Sequence, residues 1–126
     1  MKTIGIGAFA FCYDLSLDTL PENLITIDVS GFNGCKKLMI KEFGTNNSAP
    51  SLKVIKSSAF ENAGENINGD IVLGKSLTNE ESYLNIEDGA FNNYGNIINN
   101  LYVKESIKAN VDKLGIVAEN IIQGGP

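Results

Sequence analysis

At 126 residues the chain is one domain's worth of polypeptide, enough to bury a single modest core. Ten Lys+Arg against fifteen Asp+Glu give a net charge of −5, which argues against the phosphate backbone of a nucleic acid as a partner. With no histidine and only two cysteines, His-based triads, His-containing zinc sites and a disulfide framework are excluded.

Lys2 near the start is followed by an apolar stretch over residues 4–12. Its pattern, I-x3-A-F-x2-C, returns further along, so the stretch reads as a structural repeat and not as a signal peptide. Residues 27–35 read I-x3-G-F-x2-C, residues 55–63 I-x3-A-F-x2-A, and residues 86–94 I-x3-A-F-x2-Y. The motifs begin at 4, 27, 55 and 86, so extra residues fall between motifs and never inside them. After each motif comes an alternating apolar triplet, at 15–17, 38–40, 71–73 and 101–103. Alternation with period two predicts a short, half-buried strand at each. An apolar pair leads into the later motifs: Leu24 and Ile27, Leu52 and Ile55, Leu84 and Ile86. Beyond residue 104, Ile107, Val111, Leu114, Val117, Ile121 and Ile122 recur mostly at intervals of three or four. That spacing predicts one or two helical turns over the last coil, broken near Gly115, with 124–126 as a frayed tail.

One such coil has too few apolar side chains to close a core alone. Stacking coils sets isoleucine on isoleucine, small residue on small residue, and phenylalanine in a continuous ladder. The expected architecture is an α/β solenoid forming a single domain over 1–126. It has short parallel strands stacked from about four coils, irregular or short-helical turns on the other side, and a C-terminal helical cap and tail over 104–126. The N-terminus starts inside a motif without a capping segment. The expectation is therefore the C-terminal piece of a longer solenoid, or an open end that meets a partner.

The run I-x3-A-F-x2-C followed by an L-x-I strand resembles the leucine-rich repeat of the BspA-like (bacterial surface protein A-like) type. The turn Leu20-Pro21-Glu22-Asn23-Leu24 leading to Ile27 is similar to that family's Pro-containing link. The stretch from Leu101 through Ile107 to Ala109 resembles its closing segment. The resemblance implies a leucine-rich-repeat fold in a cell-surface or secreted protein, associated with adhesion to a protein or glycan on a host, matrix or microbial surface. The alternative is a structural spacer or terminal cap of a larger surface protein whose binding domain lies elsewhere.

Little chemistry competes with this reading. Cys12 and Cys35 share one slot of the motif, and that slot accepts Ala63, so both read as free, buried thiols and not as a bridge. Asp70, Glu80, Glu81, Glu87 and Asp88 sit in polar linkers and read as solvated charges. Ser57 and Ser58 have no histidine partner and read as helix-capping residues. Gly5 and Gly7 open a G-x-G-x-x-A run that the repeat itself explains better than a dinucleotide loop. The sixteen asparagines suit tight corners, with the Asn92-Asn93 and Asn99-Asn100 pairs flanking the last strand; Asn46-Asn47-Ser48 is formally a glycosylation sequon. No catalytic residue, metal ligand or cofactor is expected, and no apolar run is long enough to span a membrane. The candidate partner-binding surface is the outward stripe of the four strands, Ser16, Met39, Val72 and Tyr102, flanked by Lys37, Lys41, Asp70 and Lys104.

Overall fold

The computed structural model describes residues 2–74, 84–108 and 110–124. In chain order its elements are β1 (Thr3–Ile4), β2 (Thr26–Ile27), β3 (Glu42–Phe43), β4 (Val54–Ile55), β5 (Asn68–Leu73), β6 (Asn85–Ile86), β7 (Ile97–Val103), the single helical turn α1 (Glu105–Lys108), a 3-10 turn (Val111–Lys113) and β8 (Ala118–Gln123). They form two parallel sheets, ordered β1-β2-β4-β6 and β3-β5-β7-β8.

The first sheet stacks the motif isoleucines. Ile4 pairs with Ile27, Ile27 with Ile55 and Ile55 with Ile86. After each isoleucine the chain bends twice at fixed places. Two residues before the phenylalanine, Gly7, Ser30, Ser58 and Gly89 have φ of 61°, 57°, 59° and 75°. Two residues after it, Phe11, Gly34, Asn62 and Asn93 have φ of 59°, 77°, 56° and 58°. These left-handed corners aim the backbone N–H groups between them at the next coil. Phe9, Phe32, Phe60 and Phe91 donate to the carbonyls of Gly31, Ala59, Ala90 and Leu114. The small residue before each phenylalanine is set by the isoleucine column: a Cβ on Gly31 would meet Ile27 Cγ2 at 3.1 Å and Ile4 Cγ2 at 3.2 Å.

The phenylalanine ladder forms as the stacking argument requires. Phe9, Phe32, Phe60 and Phe91 stack at successive centroid distances of 5.3, 5.2 and 5.2 Å, within 11° of parallel. Phe43, from between the motifs, meets Phe60, Phe91 and Tyr94 edge-on at 4.9, 5.0 and 5.8 Å. Tyr94 fills the slot held by cysteine or alanine in earlier coils, and its hydroxyl donates to the Ile40 carbonyl at 2.6 Å. Burial pushes the Tyr94 phenol far above its ordinary range.

The second sheet departs from expectation. Residues 15–17 and 38–40 form no strand, although Met39 N–H donates to the Leu17 carbonyl at 2.8 Å. Coil two instead supplies β3, with Glu42 level with Val72 and Phe43 level with Leu73. The reason is Phe43: pairing at 42–43 turns this ring into the aromatic cluster, where it is fully buried. Consequently Met39 is not level with Val72. The pairing of β5 with β7 carries a separate irregularity between Gly69 and Ile71.

The helical cap also differs. Ile107, Val111 and Leu114 are buried, as a helical face would be, but α1 is one turn long and the chain then straightens into β8. β8 pairs with β7, Leu101 against Ile121 and Tyr102 against Ile122. The seven-residue β7 presents a row of backbone donors and acceptors that only an extended partner satisfies, and this overrides the helical spacing. The motif bend of coil four is covered in the same way, with Gly89, Phe91 and Asn93 N–H donating to Lys113, Leu114 and Gly115. Among the described residues the α/β expectation thus becomes a stack of parallel strands with almost no helix, and the 3-10 turn and β8 add a layer over the last motif.

Polar side chains tie the coils on the outside. Asn33 and Asn92 both donate to the Glu61 carboxylate, Asn93 donates to Asn62, Asn96 to Asn68 and Asn120 to Asn100. Asn99 and Asn100 lie within β7 and do not flank it. The asparagines therefore serve as links between coils as well as corners within them.

Candidate functional site

Parallel pairing in the second sheet levels Glu42, Val72, Tyr102 and Ile122 across four strands. On one side of this row Phe43, Leu73 and Val103 point into the core. Alternation therefore sends Val72 and Tyr102 outward, where both are half-buried by their neighbours. Lys104 follows directly and lies across Gly74, whose added Cβ would meet Lys104 Cδ at 2.6 Å.

The other sequence-predicted residues divide. Met39 is half-buried against the core, and with Asp18, Thr19, Lys41, Glu42, Asn47 and Ser48 it lines a groove of about 430 Å³. Glu42 accepts from Asn47 Nδ2 at 3.3 Å, and the buried Ser48 hydroxyl accepts from Leu20 N–H at 2.9 Å. Glu42 thus stands in both the strand row and the groove, and it joins Met39 and Lys41 to Val72 and Tyr102. Ser16 is exposed and lines neither feature, so the single stripe of the sequence reading is broken at its first position. Glu42, Asn47 and Ile122 escape the sequence reading. The alternation of Glu42 with an apolar Phe43 is the signal that could have found the first of them.

The remaining candidates have structural partners. Cys12 and Cys35 are free thiols; Cys35 Sγ–H donates to the Phe9 carbonyl at 2.9 Å, and burial pushes its pKa up. The Glu87 carboxylate accepts from the N–H and hydroxyl of Ser57 at 3.0 and 3.3 Å, one coil earlier. Ser58 caps no helix: it is a left-handed corner. Asp70 accepts from Asn100 N–H at 3.2 Å. Glu80 and Glu81 lie outside the described residues. Among the described residues no group of three or more His, Cys, Asp or Glu is placed to hold a metal, and no helix is long and apolar enough to cross a membrane.

The surface is thus a shallow strand face bordered by a groove, presented by coils that repeat one motif. The chain has no significant match among curated proteins or solved structures. The family model for the BspA type leucine rich repeat region matches residues 2–113 in six copies. With that match covering most of its length and the motif columns stacked as described, the chain belongs to the BspA-type leucine-rich repeat family.

Proposed function

We propose that this chain is a non-enzymatic binding module of a cell-surface or secreted protein, and that it acts in adhesion. Its contact face is the outward side of β3-β5-β7-β8, with Val72 and Tyr102 as anchors and Glu42, Met39, Lys41 and Lys104 around them. The observation that carries the reading is the in-register row Glu42, Val72, Tyr102 and Ile122, in which Val72 and Tyr102 are half-buried between fully buried core neighbours and Ile122 is exposed. Such a face is extended and shallow, which suits a protein surface better than a small molecule. A tyrosine at its centre and a methionine at its border match the residue types enriched in interfaces.

The test is binding of the chain to immobilised extracellular-matrix proteins by biolayer interferometry. A Val72→Ser/Tyr102→Ser variant should weaken binding by about tenfold or more. Unchanged binding would move the contact off this face and favour the spacer role. Equal recovery of the parent protein from cells before and after proteolytic shaving would remove the surface location.

A further inference from the structure

A second groove lies away from the strand face, along the corner after each motif phenylalanine. It encloses about 450 Å³, with Phe11, Tyr13, Gly34, Lys36, Asn62 and Asn93 among its lining. Its residues come from all four motif coils, so at the spacing of parallel strands it runs for about 14 Å.

The column that forms one wall is the second left-handed corner, occupied by Phe11, Gly34, Asn62 and Asn93. Side chains here face outward at Phe11, Asn62 and Asn93, while Gly34 is buried. Phe11 holds the same slot and is 59% exposed. It lies against Gly34, where an added Cβ would come within 2.6 Å of its ring. Tyr13, exposed by 54%, sits with its ring 6.3 Å from that of Phe11, and Lys36 Nζ lies 5.5 Å from the Tyr13 ring centre. An aromatic side chain is an unfavourable occupant of a left-handed corner, where asparagine and glycine are the low-cost choices. The fold holds Phe11 there at the expense of strain, with its ring in solvent.

The opposite part of the groove is made of amides. Asn93 Nδ2 donates to Asn62 Oδ1 at 3.0 Å, and Asn96 Nδ2 donates to Asn68 Oδ1 at 3.1 Å. These bonds fix the amide planes and leave the Asn93 and Asn96 carbonyls and the Asn62 amino group for a ligand. Lys36 and Glu65 add one charge of each sign.

From this arrangement we propose that the corner groove binds a neutral, unbranched oligosaccharide. Two adjacent aromatic faces take the apolar C–H side of the sugar rings. Fixed amides, a carboxylate and an ammonium pair with ring hydroxyls, which both donate and accept. Balanced charge disfavours a polyanion, and the length suits a short run of linked sugars. This site is distinct from the strand face and does not depend on the protein contact proposed there.

The test uses the full chain, isotope-labelled, titrated with chitohexaose, laminarihexaose and maltohexaose to about 10 mM, the weak end of specific recognition. At least one probe should shift the amide signals of Gly34, Asn62, Asn93 and Asn96, and saturation of the aromatic protons should transfer to that sugar. Phe11→Asn places the column's own residue at the corner, so the variant keeps the fold, and with Tyr13→Ser it should weaken binding by about tenfold or more. No shift with any probe, shifts confined to Val72 and Tyr102, or binding unchanged in the double variant would each overturn the proposal.

Discussion

Replacing Phe60 with leucine removes the ring with the most aromatic neighbours in the ladder. Phe60 stacks on Phe32 and Phe91 at 5.2 Å each and meets Phe43 and Tyr94 edge-on at 4.9 and 5.7 Å. At about 0.5–1.5 kcal/mol per ring pair beyond area burial, four pairs carry roughly 2–6 kcal/mol. Leucine keeps much of the buried apolar volume and adds little to that loss, so Phe60→Leu should cost roughly 2–6 kcal/mol. Phe9 is half-buried and, among the described residues, stacks only on Phe32, at 5.3 Å, so Phe9→Leu should cost about 0.5–1.5 kcal/mol. Urea unfolding followed by circular dichroism measures both. Nearest-neighbour stacking also predicts that Phe32 and Phe60 couple by about 1 kcal/mol in a double-mutant cycle, whereas Phe9 and Phe60 add to within about 0.5 kcal/mol. Equal costs for the two leucine variants, or equal coupling for the two pairs, would refute the ladder as a chain of neighbour contacts.

Three further outcomes follow from the same geometry. Tyr94→Phe leaves the Ile40 carbonyl without its phenol partner and should cost about 1–3 kcal/mol. Because burial raises the Tyr94 pKa in the folded chain, its contribution is complete below the ordinary phenol range. It is lost as pH climbs beyond about 10, where the unfolded chain ionises first; Tyr94→Phe should remove that alkaline slope from urea midpoints measured across pH. Ser58→Val, at a left-handed corner, should cost about 1–2 kcal/mol while Ser58→Gly costs nothing or stabilises, as read from thermal melts. Deleting residues 118–124 strips β8 from β7 and should convert the protein into a self-associating species in light scattering, whereas a merely decorative tail would leave it unchanged.

The sequence made the interior columns legible because stacking constrains them residue by residue. Ile4, Ile27, Ile55 and Ile86, and the four phenylalanines after them, stand at fixed steps, and the structure pairs them in that register. The strand face was less legible because its register depends on distant partners. The alternation at 38–40 is real, yet burying Phe43 among three aromatic rings shifts the pairing to 42–43. Likewise Ile121 and Ile122 keep helical spacing with Val111, Leu114 and Val117, but the open edge of β7 draws them into an extended strand. Met39 and Val72 were therefore placed in one stripe although Glu42 is the residue level with Val72. At the corners, Gly7, Gly34 and Gly89 announce left-handed backbone, while Phe11 does so only by analogy with its column.

The direction of the bonds between coils has a mechanical consequence. Backbone bonds from Phe9 to Gly31, from Phe32 to Ala59 and from Phe60 to Ala90 run from one coil to the next, along the stacking direction. A pull along the stack loads them in tension and opens them in sequence, as a zipper opens, instead of shearing them all at once. With motif starts at 4, 27, 55 and 86, each released coil frees 23 to 31 residues, or roughly 80–110 Å of extended chain. The array thus lengthens under load in steps while the coils not yet reached keep their stacked core, a spring whose give is set by the residues between one phenylalanine and the next.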